Sequence, residues 1–202
     1  VGHNVTSIKP SLVPLVCSNN FVPKLQGLSL KNISVTLFEN EKEIFNDFGE
    51  MIFTHYGMSG PVILSASSHI GNIGKKDYKI EIDFKPALDL QTLDKRLQKD
   101  FSEFSNKDFI NSLSKLLPKK LIPVIVLISG VSPNTKCNQI TKEQRQALAH
   151  LLKHFTVNVS SFRPVEEAII TSGGVDVKEL DPKKIKKKIV DNLYFIGEVI
   201  DV

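Results

Sequence analysis

Apolar residues recur along this chain with two different periods, and the change of period divides it. In "YKIEIDF" (78–84) Ile80, Ile82 and Phe84 alternate with Glu81 and Asp83, the pattern of a strand with one buried and one wet face. "SLVPLVC" (11–17) and "ISVTLF" (33–38) are similarly rich in strand-forming residues, so residues 11–86 read as short strands of an antiparallel sheet or small barrel. From residue 87 the spacing lengthens. Leu93, Leu97, Phe101 and Phe104 fall at helical intervals and share one face. Phe109, Ile110, Leu113, Leu116 and Leu117 form a second stripe, ended by Pro118. A third helix is predicted from Thr141, where Thr141 and Gln144 make a T-x-x-Q capping box and Leu148, Leu151, Leu152 and Phe155 supply the buried stripe. "LIPVIVLIS" (121–129) fits either a strand or a short helix entered at Pro118 or Pro123. After residue 155, "FTVNV", "EEAIITSGGV" and "NLYFIGEVI" carry the apolar runs of buried strands. The expected class is α+β.

Composition narrows this reading only a little. The chain has 202 residues, 41% of them hydrophobic and 24% charged, ordinary for a globular protein. No apolar run is long enough for a membrane helix, and the opening "VGHNVTSIKP" has no charged-then-apolar leader, so a cytoplasmic protein without a membrane partner is expected. Cys17 and Cys137 share no motif, which fits a reducing compartment. The net charge of +4 permits nucleic-acid binding without implying it. The chain lacks an initiator Met and stops within an apolar segment, "GEVIDV", so it is expected to be a piece of something longer.

Candidate chemistry concentrates in four places. "GEMIFTHYGMSGPVILSAS" (49–67) raises a Ser hydrolase using Ser59 and His55, but it lacks the G-x-S-x-G elbow. Its plainer reading is a strand "EMIFTH", a turn "YGMSG", and a helix from Pro61 to about His69 capped by Ser59 or Gly60. "ITSGGVDV" (170–177) is either a turn between strands or a place where bare backbone approaches something flat or anionic. "LYFIGEV" (193–199) sets Gly197 and Glu198 at the end of an apolar run, where a carboxylate can accept hydrogen bonds from ribose-type hydroxyls. "DPKKIKKKI" (181–189), with five lysines, suggests a short amphipathic turn or, alternatively, a basic binding module. No aromatic stacking platform accompanies it, so no nucleic-acid partner is expected. His150 and His154 stand one helical turn apart without a third ligand, and no metal site is expected.

Four stretches in order, "GH…PSLVPL" (2–15), "LQGLSLKNISV" (25–35), "GEMIFTHYGMSGPVIL" (49–64) and "AIITSGGVDVKELDPK…NLYFIGEVIDV" (168–202), resemble the BaiN-like (YhiN-like) bacterial flavoproteins. These are FAD- and NAD(P)-dependent oxidoreductases in which a Rossmann-type FAD domain is interrupted by a small β-barrel and a helical subdomain. The resemblance implies a lead-in from the FAD domain over 1–10, a β-rich insert subdomain over 11–86, a helical subdomain over 87–154, and returning FAD-domain strands over 155–202. Neither the G-x-G-x-x-G loop nor the glycine-rich closing loop of the family is present, so the chain would be a substrate-cap fragment, inactive alone.

Carried over residue by residue, Thr171, Gly173 and Gly174 match the T-x-G-G stretch beside the flavin. Gly197 and Glu198 match a cofactor-contacting G-E, with Asp201 on the same approach. His55 and Ser59 would be architectural or substrate-facing. The implied reaction passes a hydride from NAD(P)H through FAD to a small organic acceptor, such as an activated C=C bond, or to oxygen. The catalytic proton donor stays unassigned, and the remainder of the FAD domain is the expected protein partner. One departure stands out: "KIKKK" (184–188) replaces a T-M-E-S-K segment of the family.

Overall fold

The computed structural model describes residues 3–181, 186–187, 194–195 and 197–201. Strand β1 (Lys9–Ser11) leads into β2 (Leu15–Cys17). A 3-10 turn then precedes the long hairpin of β3 (Ser29–Glu39) and β4 (Lys42–Phe53). Strand β5 (Gly57–Ser59), helix α1 (Pro61–Ser67) and strand β6 (Tyr78–Asp83) follow. Helices α2 (Leu90–Glu103), α3 (Phe109–Ser112), α4 (Ile122–Ser129) and α5 (Lys142–Lys153) come next. They end at β7 (Phe155–Phe162), and β8 (Ile170–Ser172) follows. Strands β2, β5, β4, β3, β6 and β7 close, in that order, into an antiparallel barrel.

Alternation produces the barrel. Along β6 the side chains run strictly buried then half-buried from Tyr78 to Asp83, as the period-two reading requires. Leu15, Val35, Leu37, Phe53, Met58, Ile80, Ile82 and Phe155 are essentially inaccessible at its centre. Each such side chain contributes roughly 1.5–3 kcal/mol of transfer free energy. The β3–β4 register shifts between Leu30 and Ile33, and Asn32 sits there with a φ of 54°, a bulge that bends the strand as a small barrel needs.

The helices form an arm set between neighbouring barrel strands. β6 pairs with β7 (Ile82 opposite Phe155), yet α2–α5 separate them in sequence. At the neck Lys153 reaches Asp83 at 2.6 Å and donates to the carbonyls of Lys85 and Leu88. Across the arm Arg145 grips Asp94 with two bonds of 2.8 and 3.2 Å, tying α5 to α2. The T-x-x-Q box at Thr141 is present in full. One apolar core runs without a break from barrel to helices, from Leu15 through Leu93 and Phe109 to Leu152.

Several local expectations change. Residues 121–129 are a helix, with Pro123 in its first turn and Gly130 stopping it in the left-handed conformation. The second stripe is one short α-turn followed by a 3-10 turn, though Phe109, Leu113, Leu116 and Leu117 are buried as expected. Phe155 begins β7 rather than ending α5. More consequentially, Phe155–Phe162 pairs with both β6 and β2 and closes the barrel, so the first part of 155–202 belongs to it and not to returning strands. Its period-two pattern does not say which sheet it joins. At 181–189 the described backbone pairs Lys186 with Asp181 and Lys187 with Leu180 as an antiparallel bridge, not as an amphipathic turn. The remaining lysines and isoleucines of that run lie outside the described residues.

Candidate functional site

Away from the barrel, three distant segments meet. β1 pairs antiparallel with β8, placing Pro10 opposite Thr171 and Ser11 opposite Ile170. Further along, Val5 bridges Val175 antiparallel, and Val175 bridges Ile200 in parallel. The bonds are short and continuous: Thr6 N–H to Gly174 O at 2.8 Å, Asp176 N–H to Asn4 O at 3.1 Å, Val175 N–H to Val199 O at 2.8 Å, and Asp201 N–H to Val175 O at 3.0 Å. Thr171 thus lies in the β1–β8 pair, Gly173, Gly174 and Asp201 lie beside the two bridges that extend it, and Gly197 and Glu198 lie in the turn before Ile200. A parallel pair is what returning strands of an α/β sheet would provide.

The paired glycines have a physical reason within the chain. At Gly173, with φ 93°, a Cβ would stand 2.4 Å from the carbonyl oxygen of Ser7. At Gly174 it would stand 2.6 Å from the carbonyl oxygen of Val199. Backbone crosses backbone on both sides of this stretch, so neither position has room for a side chain, whatever else lies beside it. Thr6 completes the crossing: its hydroxyl accepts from Gly174 N–H at 3.0 Å and donates to Gly174 O at 3.2 Å. Sequence reasoning missed Thr6, because nothing local announces a partner so far along the chain. His3 packs edge-on against Phe195 at 4.7 Å, drawing the N-terminal segment to the third one.

Gly197 differs. Its φ is 76° and no described residue lies within 4 Å of where a Cβ would project. Glu198 beside it is exposed. Open backbone and an exposed carboxylate in one turn leave room for a ligand's edge, and Glu198 could accept hydrogen bonds from hydroxyls there. Asp201 is half-buried, and Thr171 is exposed on β8. The described residues would therefore hold such a group from one side only.

The hydrolase alternative finds no geometry. His55 is exposed in the tight turn closed by Thr54 N–H to Gly57 O, whereas Ser59 is the last residue of β5, and the two share no hydrogen bond. The predicted turn "YGMSG" is corrected: Gly57–Ser59 is a barrel strand between β2 and β4, its glycine close against the Leu15 carbonyl. Gly60, rather than Ser59, is the N-cap of α1. His55 instead packs on Tyr56 at 4.8 Å, and the Arg163 guanidinium lies 4.3 Å from the Tyr56 ring centre. Arg163 also binds Glu167, and that hydrogen bond holds the Glu167 carboxyl below its usual range. Since Arg163 N–H donates to Pro14 O, this cluster stands where the barrel meets β1 and β8.

Elsewhere, no group of three or more His, Cys, Asp or Glu among the described residues could hold a metal. His150 and His154 stack at 4.4 Å, and His154 Nδ1 contacts Glu81 at 2.8 Å. Both cysteines are free, and burial pushes the Cys17 thiol up to about 12. A polar groove of about 530 Å³ on the β6–β7 side, lined by Glu41, Lys76, Tyr78, Lys79 and Asn158, contains none of the expected site residues. No helix among the described residues is long and apolar enough to cross a membrane.

A closed barrel with a helical arm between two of its strands, carried on a separate strand pair, defines a barrel-and-helix domain. The chain belongs to the family of the HI0933-like protein barrel and H2TH domain, whose pattern matches residues 9–170. Among curated proteins it is 29% identical, over its whole length, to a ribosomal RNA dihydrouridine synthase of Escherichia coli, covering 48% of that protein. It is 29% identical to a ribosomal RNA dihydrouridine synthase of Haemophilus influenzae, covering 47% of that protein. It is 26% identical to the 3-dehydro-bile acid delta(4,6)-reductase of Clostridium scindens, covering 50% of that protein. The chain spans about half the length of these relatives. The family resemblance is supported at this level, without separating the YhiN-like members from their siblings.

Proposed function

We propose that this chain is the substrate-side portion of a flavin-dependent reductase that saturates a C=C bond conjugated to a carbonyl. The observation that carries this reading is that relatives named for unlike substrates, a ribosomal RNA base and a bile acid, are named for one kind of bond change. Dihydrouridine is uridine with its ring C=C bond saturated, and a delta(4,6)-reductase also saturates C=C. In net terms a hydride and a proton add across the double bond while NAD(P)H becomes NAD(P)⁺, and solvent balances the proton. Bound FAD would supply the hydride-carrying chemistry. The chain's own residues would do less: Gly197 and Glu198 hold the cofactor's edge, and the Gly173–Gly174 crossing fixes the strand beside it.

The surface of the small sheet supports a larger protein around it. Val5, Ile8 and Ile169 are 58%, 60% and 65% exposed, and Val165, Val177, Tyr194 and Val199 are exposed as well. An apolar face of this kind calls for a protein cover, which the rest of an FAD domain would provide.

For the substrate, ribosomal RNA is favoured by two of the three relatives and departs from the sequence-based expectation of a small molecule without nucleic acid. A free small molecule is the second reading, favoured by the bile-acid relative. The test is to purify the longer gene product containing this chain, record its visible spectrum, and follow NAD(P)H oxidation with an rRNA fragment or a free conjugated enone. A flavin spectrum with C=C reduction is expected. A folded but colourless product, or no reduction of either acceptor, would refute the proposal.

A further inference from the structure

Charge is distributed unevenly. Residues 87–154 hold 11 Lys and Arg against 6 Asp and Glu, a net of +5, whereas the whole chain is only +4. The rest of the chain is therefore slightly acidic, and the helical arm carries the positive field. Within the arm most ion pairs are locally satisfied: Arg96 with Asp100, Arg145 with Asp94, Lys136 with Asp108. One place gathers several cations around a single paired carboxylate.

That place lies around Phe104, at the end of α2. Its half-buried ring has the Lys107 ammonium 4.0 Å and the Lys115 ammonium 4.6 Å from its centre. The two nitrogens are thus closer than one Debye length, about 10 Å at 0.1 M salt. Glu103 faces the same cluster. It contacts Lys115 at 2.5 Å, and Lys115 first, then Lys99 and Lys107, hold its carboxyl below the usual range. Three exposed ammonium groups therefore share a single carboxylate. The ring restrains two flexible side chains that would otherwise lose rotamer entropy on meeting an anion.

We infer that the Lys99–Lys107–Lys115 surface of the helical arm is where an RNA phosphodiester backbone docks. The inference rests on the rRNA reading above, and deepens it by separating two tasks. The arm holds the polyanion through its charge, without reading sequence, and the base to be reduced is presented elsewhere. The charge argument selects this occupant: three clustered ammonium groups with excess positive charge match a row of phosphates and offer nothing to an uncharged enone.

The test uses the full-length holoenzyme and an rRNA fragment, with binding measured from about 50 to 200 mM salt. In the K99Q/K107Q/K115Q variant, loss of up to three phosphate contacts lowers the log–log salt slope by about 2–3 and weakens binding at least about tenfold. Reduction of a free enone stays at the wild-type rate. The matching triple Arg variant, which keeps the charge, retains binding. The inference is overturned by unchanged slope and affinity in the Gln variant, by equal loss in the Arg variant, or by a wild-type protein that shows no salt-dependent binding. Salt-dependent binding that the Gln variant loses, without reduction of any acceptor, supports the docking surface and removes the reductase reading instead. Reduction of rRNA that the Gln variant performs as well as wild type does the reverse.

Discussion

Two glycines that look alike in sequence, Gly173 and Gly197, should respond very differently to one added methyl. At Gly173 an alanine must adopt φ near 93° and place its Cβ 2.4 Å from the Ser7 carbonyl oxygen. The left-handed backbone alone costs an L-residue about 1–2 kcal/mol. The overlap is with backbone, which cannot rotate aside, so segment 5–8 must move away. That movement strains the pairing of Thr6 with Gly174, three bonds of 2.8, 3.0 and 3.2 Å. At about 0.5–1.5 kcal/mol each, these bring the expected local destabilisation to roughly 3–5 kcal/mol. Gly197→Ala meets no atom of a described residue within 4 Å. It should cost only the conformational part, about 1–2 kcal/mol. Because the damage is local, amide hydrogen exchange is the better assay. Peptides covering 3–11 and 170–176 should exchange at least about a hundredfold faster in Gly173→Ala, at tenfold per 1.4 kcal/mol, with β3 and β4 unchanged. If exchange there in Gly173→Ala matched Gly197→Ala, the crossing-strand explanation would be refuted. If the proposed flavin-bound protein is obtained, Gly197→Ala, whose methyl would enter the space proposed for the cofactor, should lower flavin retention more than Gly173→Ala.

Cys17, half-buried and with its thiol pushed up to about 12, should react with a disulfide reagent near pH 8 much more slowly in the native chain than after denaturation, and equal rates would contradict that shift. The sign for stability follows: a folded-state value above the unfolded thiol value of about 8.5 means stability falls as pH rises from there toward about 12, and Cys17→Ala should flatten that decline. Thr141→Ala removes the hydroxyl that accepts from Gln144 N–H, while the backbone N–H of residue 141 can still donate to Gln144 Oε1, and should cost about 1 kcal/mol in denaturant unfolding; no change would mean that this half of the cap does not hold α5. Replacing residues 12–169 of the longer protein by a short turn between Ser11 and Ile170, which already pair, should preserve flavin binding while abolishing acceptor reduction. Loss of flavin would assign the barrel a part in cofactor binding.

Periodicity carried far because it reports burial, and burial is what these elements share. The alternation of β6 and the stripes at Leu93–Phe101 and Leu148–Leu152 are visible in sequence for that reason. The helix at Ile122–Ser129 was not decidable. Nearly every residue in it is apolar, so a face cannot be picked out, and only Pro123 and Gly130 mark its ends. The role of β7 was hidden differently: its pattern announces a strand, but its neighbours β2 and β6 come from far earlier in the chain. The candidate site behaves likewise. The glycine pair at 173–174 stands out locally, whereas the reason for it lies at Ser7 and Val199, and the clamp at Thr6 has no local signature. The Phe104 cluster was half visible. The spacing places Phe104 on the apolar stripe of α2, while Lys107 and Lys115 converge on it only because α2 ends there and the chain folds back through α3.

The way these parts are joined constrains how they could work together. Barrel and arm share one continuous core, and the neck between β6 and β7 is tied by the Lys153–Asp83 pair and the Phe84–Leu152 backbone bond. A force on the arm therefore passes into the barrel without an obvious hinge. The connection of the barrel to the small sheet is slighter. It consists of Leu12–Pro14 on one side and 163–169 on the other, held by Arg163 to Pro14 and Ile169 to Leu12, with Leu12 itself at a φ of 48°. A polyanion captured on the arm would thus move with the barrel as one body. Within that narrow stem the fully buried Val13, whose N–H donates to Ser67 Oγ at 2.9 Å, anchors one strand to the barrel, so any relative adjustment of the small sheet must work against this single buried anchor and the two backbone bonds beside it.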